Sequence, residues 1–120
     1  MKYMLLIHQG TSPTPRDPEA WATLSEDEQK AVYADYQAIN QTPGVTPGVG
    51  LDAPETATTV RVQDGRALTT DGPYADTKEV FGGYYVFDAE NLDQAIELAA
   101  RIPAARLGGA IEVRPIGEWS

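Results

Sequence analysis

Two stretches of this chain are apolar on both of the faces a β-strand presents. In the first, Tyr3, Leu5 and Ile7 fall on one side and Met4, Leu6 and His8 on the other; in the second, Phe81, Tyr85 and Phe87 oppose Tyr84 and Val86. A sheet that meets water on one side needs only one apolar face per strand, so both stretches call for a sheet covered twice. The chain's 120 residues suit one domain, residues 1–120, with one core. What covers the second face becomes the central question.

The remaining elements narrow the answer. Residues 3 to 7 read as a strand closed by Gln9-Gly10 and a proline-bearing loop from Thr11 to Pro18. Ser25 with Glu28 three residues on makes a capping box, and Glu26, Asp27 and Glu28 suit the positive end of a helix dipole. Val32, Tyr36 and Ile39, supported by Tyr33, carry that helix to Asn40, and Thr42-Pro43-Gly44 ends it. The Gly- and Pro-rich stretch from Thr42 to Pro54 is expected to be an exposed loop. Thr58 to Val62 and Arg66 to Thr70 flank Gln63-Asp64-Gly65, a hairpin signal, because both Asp and Gly tolerate positive φ. Phe81 to Phe87 is the second doubly apolar strand, and Gly82-Gly83 within it leaves room for a close neighbour, backbone or ligand. A second helix begins near Asn91, which can cap Gln94, and presents Leu92, Ala95, Ile96, Ala99 and Ile102 before Pro103. The last strand is Ala110 to Ile116.

This order predicts an α+β, ferredoxin-like split βαβ: an antiparallel sheet, two helices on one face and an extra hairpin strand. Two helices cover one face only. The simplest cover for the other is the same sheet from a second copy, which makes a homodimer, a dimeric α+β barrel.

Composition removes several classes of function. Eighteen Asp and Glu against nine Lys and Arg give a formal charge of −9, which repels nucleic acid and anionic membranes. With no cysteine, disulfides, thiolate catalysis and iron–sulfur clusters are excluded. One histidine makes a tight transition-metal site unexpected, and Asp71, Asp76 and Glu79 match no calcium loop. No Gly-x-Gly-x-x-Gly or phosphate-loop lysine motif is present, so no cofactor is expected. The apolar run at Met1 to His8 is too short for a signal segment or a membrane span, so a cytoplasmic location is expected.

The segment Asp71-Gly72-Pro73-Tyr74-Ala75-Asp76-Thr77-Lys78-Glu79-Val80-Phe81-Gly82-Gly83-Tyr84-Tyr85 concentrates residues with special backbone demands beside ionisable ones. It resembles the core motif of the DGPF branch of the YCII-related family, with Tyr74 where that branch more often has Phe. Met1 to Ile7, Thr58 to Val62, Ala104-Ala105-Arg106 and Ile111 to Ile116 resemble the branch's other usual segments. The resemblance implies the same fold and dimer. Its members are mostly described as possible enzymes, and some accompany extracytoplasmic-function sigma factors. Better-studied YCII members are thought to pair a histidine on the first helix with an aspartate; Ser25 to Asn40 contains no histidine, so that mechanism is not carried over.

Asp71 is the leading candidate for a general base, being a carboxylate at a strand end walled by Tyr74 and Phe81, although an Asp before Gly-Pro also serves to organise a turn. Lys78 and Glu79 can orient an anionic or hydroxylated ligand, with Tyr74 and Phe81 as apolar walls, or be solvated loop charges. His8 is the only side chain suited to exchange a proton near neutrality. It ends the first strand, and Asp71 ends one expected to run the opposite way, so contact between them would need a second copy. Tyr33, Tyr36, Tyr84, Tyr85 and Phe87 can line a pocket for a planar substrate but are first of all core. Two readings follow: a cofactor-free small-molecule enzyme performing proton transfer, isomerisation or elimination, or a non-catalytic accessory or ligand-sensing protein.

Overall fold

The computed structural model describes residues 1–72 and 81–118. Strand β1 (Lys2–His8) is followed by a short helix α1 (Pro18–Trp21), helix α2 (Glu26–Asn40) and strand β2 (Val45–Gly50). A ribbon of β3 (Thr58–Gln63) and β4 (Arg66–Asp71) precedes β5 (Phe81–Asp88), α3 (Leu92–Ala100) and β6 (Ala110–Pro115). The main sheet runs β2-β5-β1-β6, antiparallel throughout, which is the ferredoxin-like order. No helix among the described residues is long and apolar enough to cross a membrane.

Local chemistry sets the helix starts as expected. The Ser25 hydroxyl accepts the Glu28 amide at 3.1 Å while the Glu28 carboxylate reaches back to the Ser25 amide, and Asn91 Oδ1 accepts the Gln94 amide at 2.9 Å. One face of the sheet then packs on the helices. Tyr3, Leu5 and Ile7 of β1 and Tyr85 and Phe87 of β5 meet Ile39, Ala95, Leu98, Ala99 and Ile102, with Val45, Ile111 and Val113 at the margin.

Three expectations change. The stretch from Thr42 to Pro54 is not all loop, because Val45–Gly50 forms the edge strand β2 on β5. Its register shifts between Thr46 and Val49, so Pro47, which has no amide to donate, sits in the irregularity at a sheet edge. The hairpin contributes no strand to the main sheet; it stands as its own two-stranded sheet between β2 and β5 in the chain order. Asp71 therefore ends a ribbon strand, and the expected opposition of Asp71 and His8 across one sheet does not apply. On α3 the buried stripe is Ala95, Leu98 and Ala99, continued by Ile102 beyond the helix end, whereas Leu92 and Ile96 are about half exposed. The inward direction is the side on which Ala95 and Leu98 join the core cluster with Leu5, which leaves Leu92 and Ile96 outside.

The opposite sheet face carries Met4, Leu6, Tyr84 and Val86, with Met4 opposite Val86 and Leu6 opposite Tyr84. No residue of this row belongs to the core formed by the described residues. These four are partly buried, so among the described residues the core lies on the helix side of the doubly apolar strands.

Candidate functional site

A cavity of about 740 Å³ opens where β1 and β2 end and β5 begins. Among the described residues four pieces of chain build it: the end of β1 with the loop after it, the last turns of α2, the end of β2 with residues 52–55, and Phe81 to Tyr85. Its floor follows from helical and strand periodicity. Tyr36 and Asn40, one turn apart on α2, face it together, and Asn40 Oδ1 accepts the Gly48 amide at 3.4 Å, tying α2 to β2. The Tyr85 ring lies directly beneath Gly48, where an added Cβ would stand 2.5 Å from Cε1 and 2.8 Å from Cζ. Gly83 is met as closely by the Val49 carbonyl, so the neighbour expected for Gly82-Gly83 is the β2 backbone at Gly83 and the Gln9 side chain at Gly82.

The two phenols on the floor are held neutral. Burial pushes the Tyr85 hydroxyl up to about 12, helped by the adjacent Tyr36. Tyr36 is raised by the same burial, with the Arg106 guanidinium, itself 2.9 Å from Asp35, pulling the other way. Both remain hydrogen-bond donors across the physiological range. Among the described residues the rim holds one cation and three carboxylates: Arg16, Asp17, Asp52 and Glu55. A turn in which the Asp17 amide donates to the Thr14 carbonyl at 3.1 Å sets Arg16, whose Nη2 lies beside Gly50. Asp17 caps α1 by accepting the Ala20 amide at 3.2 Å, and Asp52 accepts the Ala53 amide at 2.7 Å. Among the described residues, Glu55 accepts no hydrogen bond and Arg16 makes no ion pair.

The residues singled out from the sequence scatter. Phe81 lines the cavity, because the register shift between Ile7 and His8 sets it opposite His8 rather than continuing the core row. The two rings are 6.0 Å apart. His8 lies on the sheet face away from the helices, partly buried, with Nε2 3.1 Å from Glu112 Oε1. Asp71 is exposed on the ribbon opposite Thr58 and does not line the cavity. Beyond it, the Gly72 amide donates to the Ala57 carbonyl at 2.7 Å and the Thr59 hydroxyl to the Gly72 carbonyl at 2.8 Å, closing the ribbon's base. Tyr74, Lys78 and Glu79 lie outside the described residues, as does Asp76. No group of three or more His, Cys, Asp or Glu that could hold a metal ion occurs among the described residues.

Arg16 and Glu55 had no local signal, since a lone charge in a proline-bearing loop reads as solvated. Of the five aromatic pocket candidates, Tyr36, Tyr84 and Tyr85 line the cavity, whereas Phe87 is in the core and Tyr33 packs edge-on against Trp21.

The model of the YCII-related domain matches residues 1–120. The chain belongs to the YCII-related family. It is also similar to the uncharacterised protein R00369 of Rhizobium meliloti, 31% identical over 121 residues that cover 97% of this chain and 92% of the relative. This YCII-related chain thus has an antiparallel ferredoxin-like sheet with the cavity at the end where Gly48, Gly82 and Gly83 let backbone and ring pack closely.

Proposed function

We propose that this protein binds a small carboxylic acid in the cavity over Tyr36 and Tyr85 and moves a proton on it without a cofactor. The observation that carries the reading is the pairing, in one cavity, of the Tyr36 and Tyr85 phenols with a guanidinium that has no described carboxylate partner. Arg16 anchors the ligand carboxylate through two parallel hydrogen bonds. Glu55, whose oxygens are not spent on backbone amides, takes the proton from the carbon next to a carbonyl. The electron pair moves onto the carbonyl oxygen, where the phenol hydroxyls donate to the developing charge, and return of the proton to the same or an allylic carbon completes exchange or isomerisation. Asp71 and His8 are left outside this scheme. The segment from Asp71 to Tyr85 supports placing the chain in the DGPF branch of the family.

The test uses solvent exchange, which reads proton removal whatever the product. A panel of small 2-oxo and planar unsaturated acids is incubated with the protein in D2O and the C–H signals followed by proton NMR. Protein-dependent exchange is expected for at least one acid, reduced about a hundredfold in Glu55→Gln, with Arg16→Met raising KM more than it lowers kcat. Exchange that survives Glu55→Gln unchanged removes the base assigned here.

The second part of the proposal is a homodimer. The row Met4, Leu6, Tyr84 and Val86 supports it, because a matching row on a second copy covers both at once. Light scattering at micromolar concentration is expected to return twice the 13.0 kDa chain mass; a folded monomer contradicts it.

A further inference from the structure

Gln9 stands on a mount that glycines make tight. Gly109 lies under the turn after β1, where an added Cβ would stand 2.7 Å from the Gln9 carbonyl oxygen and closer still to that of His8. The Ser12 amide donates to the Gln9 carbonyl at 2.9 Å and the Thr11 amide to the Gly108 carbonyl at 3.3 Å, with Gly10 at a φ of 56° in the same turn. The backbone of Gln9 is thereby held. Its side chain is held too, because it lies across Gly82: a Cβ there would meet Gln9 Cγ and stand 2.7 Å from Nε2. The register of β1 against β5 makes the space. Ile7 pairs with Gly83 and His8 with Phe81, so Gly82 is the extra residue of a bulge, a device that re-aims side chains at a strand end.

The carboxamide held this way is unspent. Gln9 is partly buried and lines the cavity, yet among the described residues its side chain makes no hydrogen bond. No polar side-chain atom among them is sealed from solvent without a partner, so the Gln9 head opens into the cavity rather than into packed protein. It offers two N–H donors and one carbonyl acceptor. Gly82 adjoins Gly83, which pairs with Gly50, and Arg16 Nη2 lies over Gly50. The carboxylate anchor and the free carboxamide thus stand over neighbouring residues of one sheet end. Asp17, Asp52 and Glu55 on the same rim, in a chain of net charge −9, oppose a second negative charge on the ligand.

We infer that Gln9 is a specificity-determining residue, and that the site takes a monocarboxylic acid whose other end carries a carboxamide, a neutral group that both donates and accepts. Two carboxamides pair through two parallel hydrogen bonds, which spends both sides of the Gln9 head at once. The inference rests on the acid-binding reading above and deepens it: Arg16 holds the charge and Gln9 reads the other end. A preset polar partner rejects an analogue that lacks the matching group, because its own donors and acceptor are then left unpaired.

One acid series with three end groups tests it: the monoamides of the straight-chain dicarboxylic acids from succinic to pimelic, the methyl ketones of matching length, and the dicarboxylates themselves. Affinities are read from titrations of ¹⁵N-labelled protein. The wild type is expected to bind one monoamide about tenfold or more tighter than its methyl ketone and its dicarboxylate. Gln9→Met keeps the length of the side chain over Gly82 and removes its polar head, and the amide-to-ketone ratio is expected to fall to within about twofold of one. Gly82→Ala is expected to lower the ratio in the same way with Gln9 intact, because the new methyl displaces the side chain. Arg16→Met is expected to weaken amide and ketone alike and to leave their ratio standing. A wild-type ratio near one, or a ratio that survives either Gln9→Met or Gly82→Ala, overturns the role of Gln9 while acid binding stands. Saturable binding by no member of the series overturns the inference together with the acid-binding reading.

Discussion

Gly48→Ala probes the cavity floor with a single methyl group. The added Cβ would lie 2.5 Å from Tyr85 Cε1 and 2.8 Å from Cζ, so ring and strand must separate by about 1 Å to reach ordinary contact. Neither can move freely. The ring belongs to a residue only 4% exposed, and β2 is tied to β5 through its ladder and to α2 through Asn40. Overpacking of this kind costs about 1 to 3 kcal/mol, which in a domain of this size lowers Tm by roughly 4 to 12 °C. The same substitution removes backbone freedom from the unfolded chain, worth about 0.4 to 1 kcal/mol in the stabilising direction. Thermal unfolding followed by circular dichroism reads the net loss. The double-mutant cycle isolates its cause: with Tyr85→Leu the ring is gone, and Gly48→Ala should become neutral or mildly stabilising. An unchanged Tm for Gly48→Ala, or the same loss in both backgrounds, refutes the packing argument.

Alkaline stability follows from the phenols. The unfolded chain releases the Tyr85 proton near pH 10 and the folded one holds it to about pH 12, so this contribution is full below pH 10 and is lost as pH rises toward 12. Absorbance at 295 nm should therefore show Tyr85 titrating late and together with unfolding, and Tyr85→Phe should flatten that part of the stability curve; no change in the curve contradicts the assignment. On α3, Leu98→Ala should cost about 2 to 5 kcal/mol in urea unfolding and Leu92→Ala under about 0.5 kcal/mol. Similar costs for the two would mean that the helix face is misassigned.

Local signals in the sequence were legible because their partners are a few residues away. Ser25 and Glu28 form both halves of a capping box, Asn91 caps Gln94, and Asp64-Gly65 turns the ribbon with positive φ at both residues. The ferredoxin-like class followed from element order and was right even though its second strand was assigned to the wrong segment. β2 was hidden because Pro47, Gly48 and Gly50 are poor strand formers, and only an edge position with a shifted register tolerates them. Gly48 is needed there for the ring beneath it, a contact between residues 37 positions apart in the chain that no local pattern announces. The α3 stripe was misread for a related reason. Ala95, Ala99 and Ile102 of the expected stripe are buried, but Leu98 takes the place given to Leu92 and Ile96, because both edges of the stripe have helical spacing and the position of the sheet chooses between them. The cavity was legible in part: Tyr36, Tyr85 and Phe81 carry the signature of aromatic walls, whereas Arg16 and Glu55 are brought to its rim by two loops.

The claim that the cavity over Tyr36 and Tyr85 is the ligand site is tested most directly by titrating ¹⁵N-labelled protein with small 2-oxo and planar carboxylic acids while recording amide shifts. Saturable shifts are expected at Arg16, Tyr36, Gly48 to Gly50 and Gly82 to Tyr85, and they should weaken at least tenfold in Arg16→Met. Saturable shifts confined to the ribbon or to α3, with the cavity amides unmoved, would contradict it.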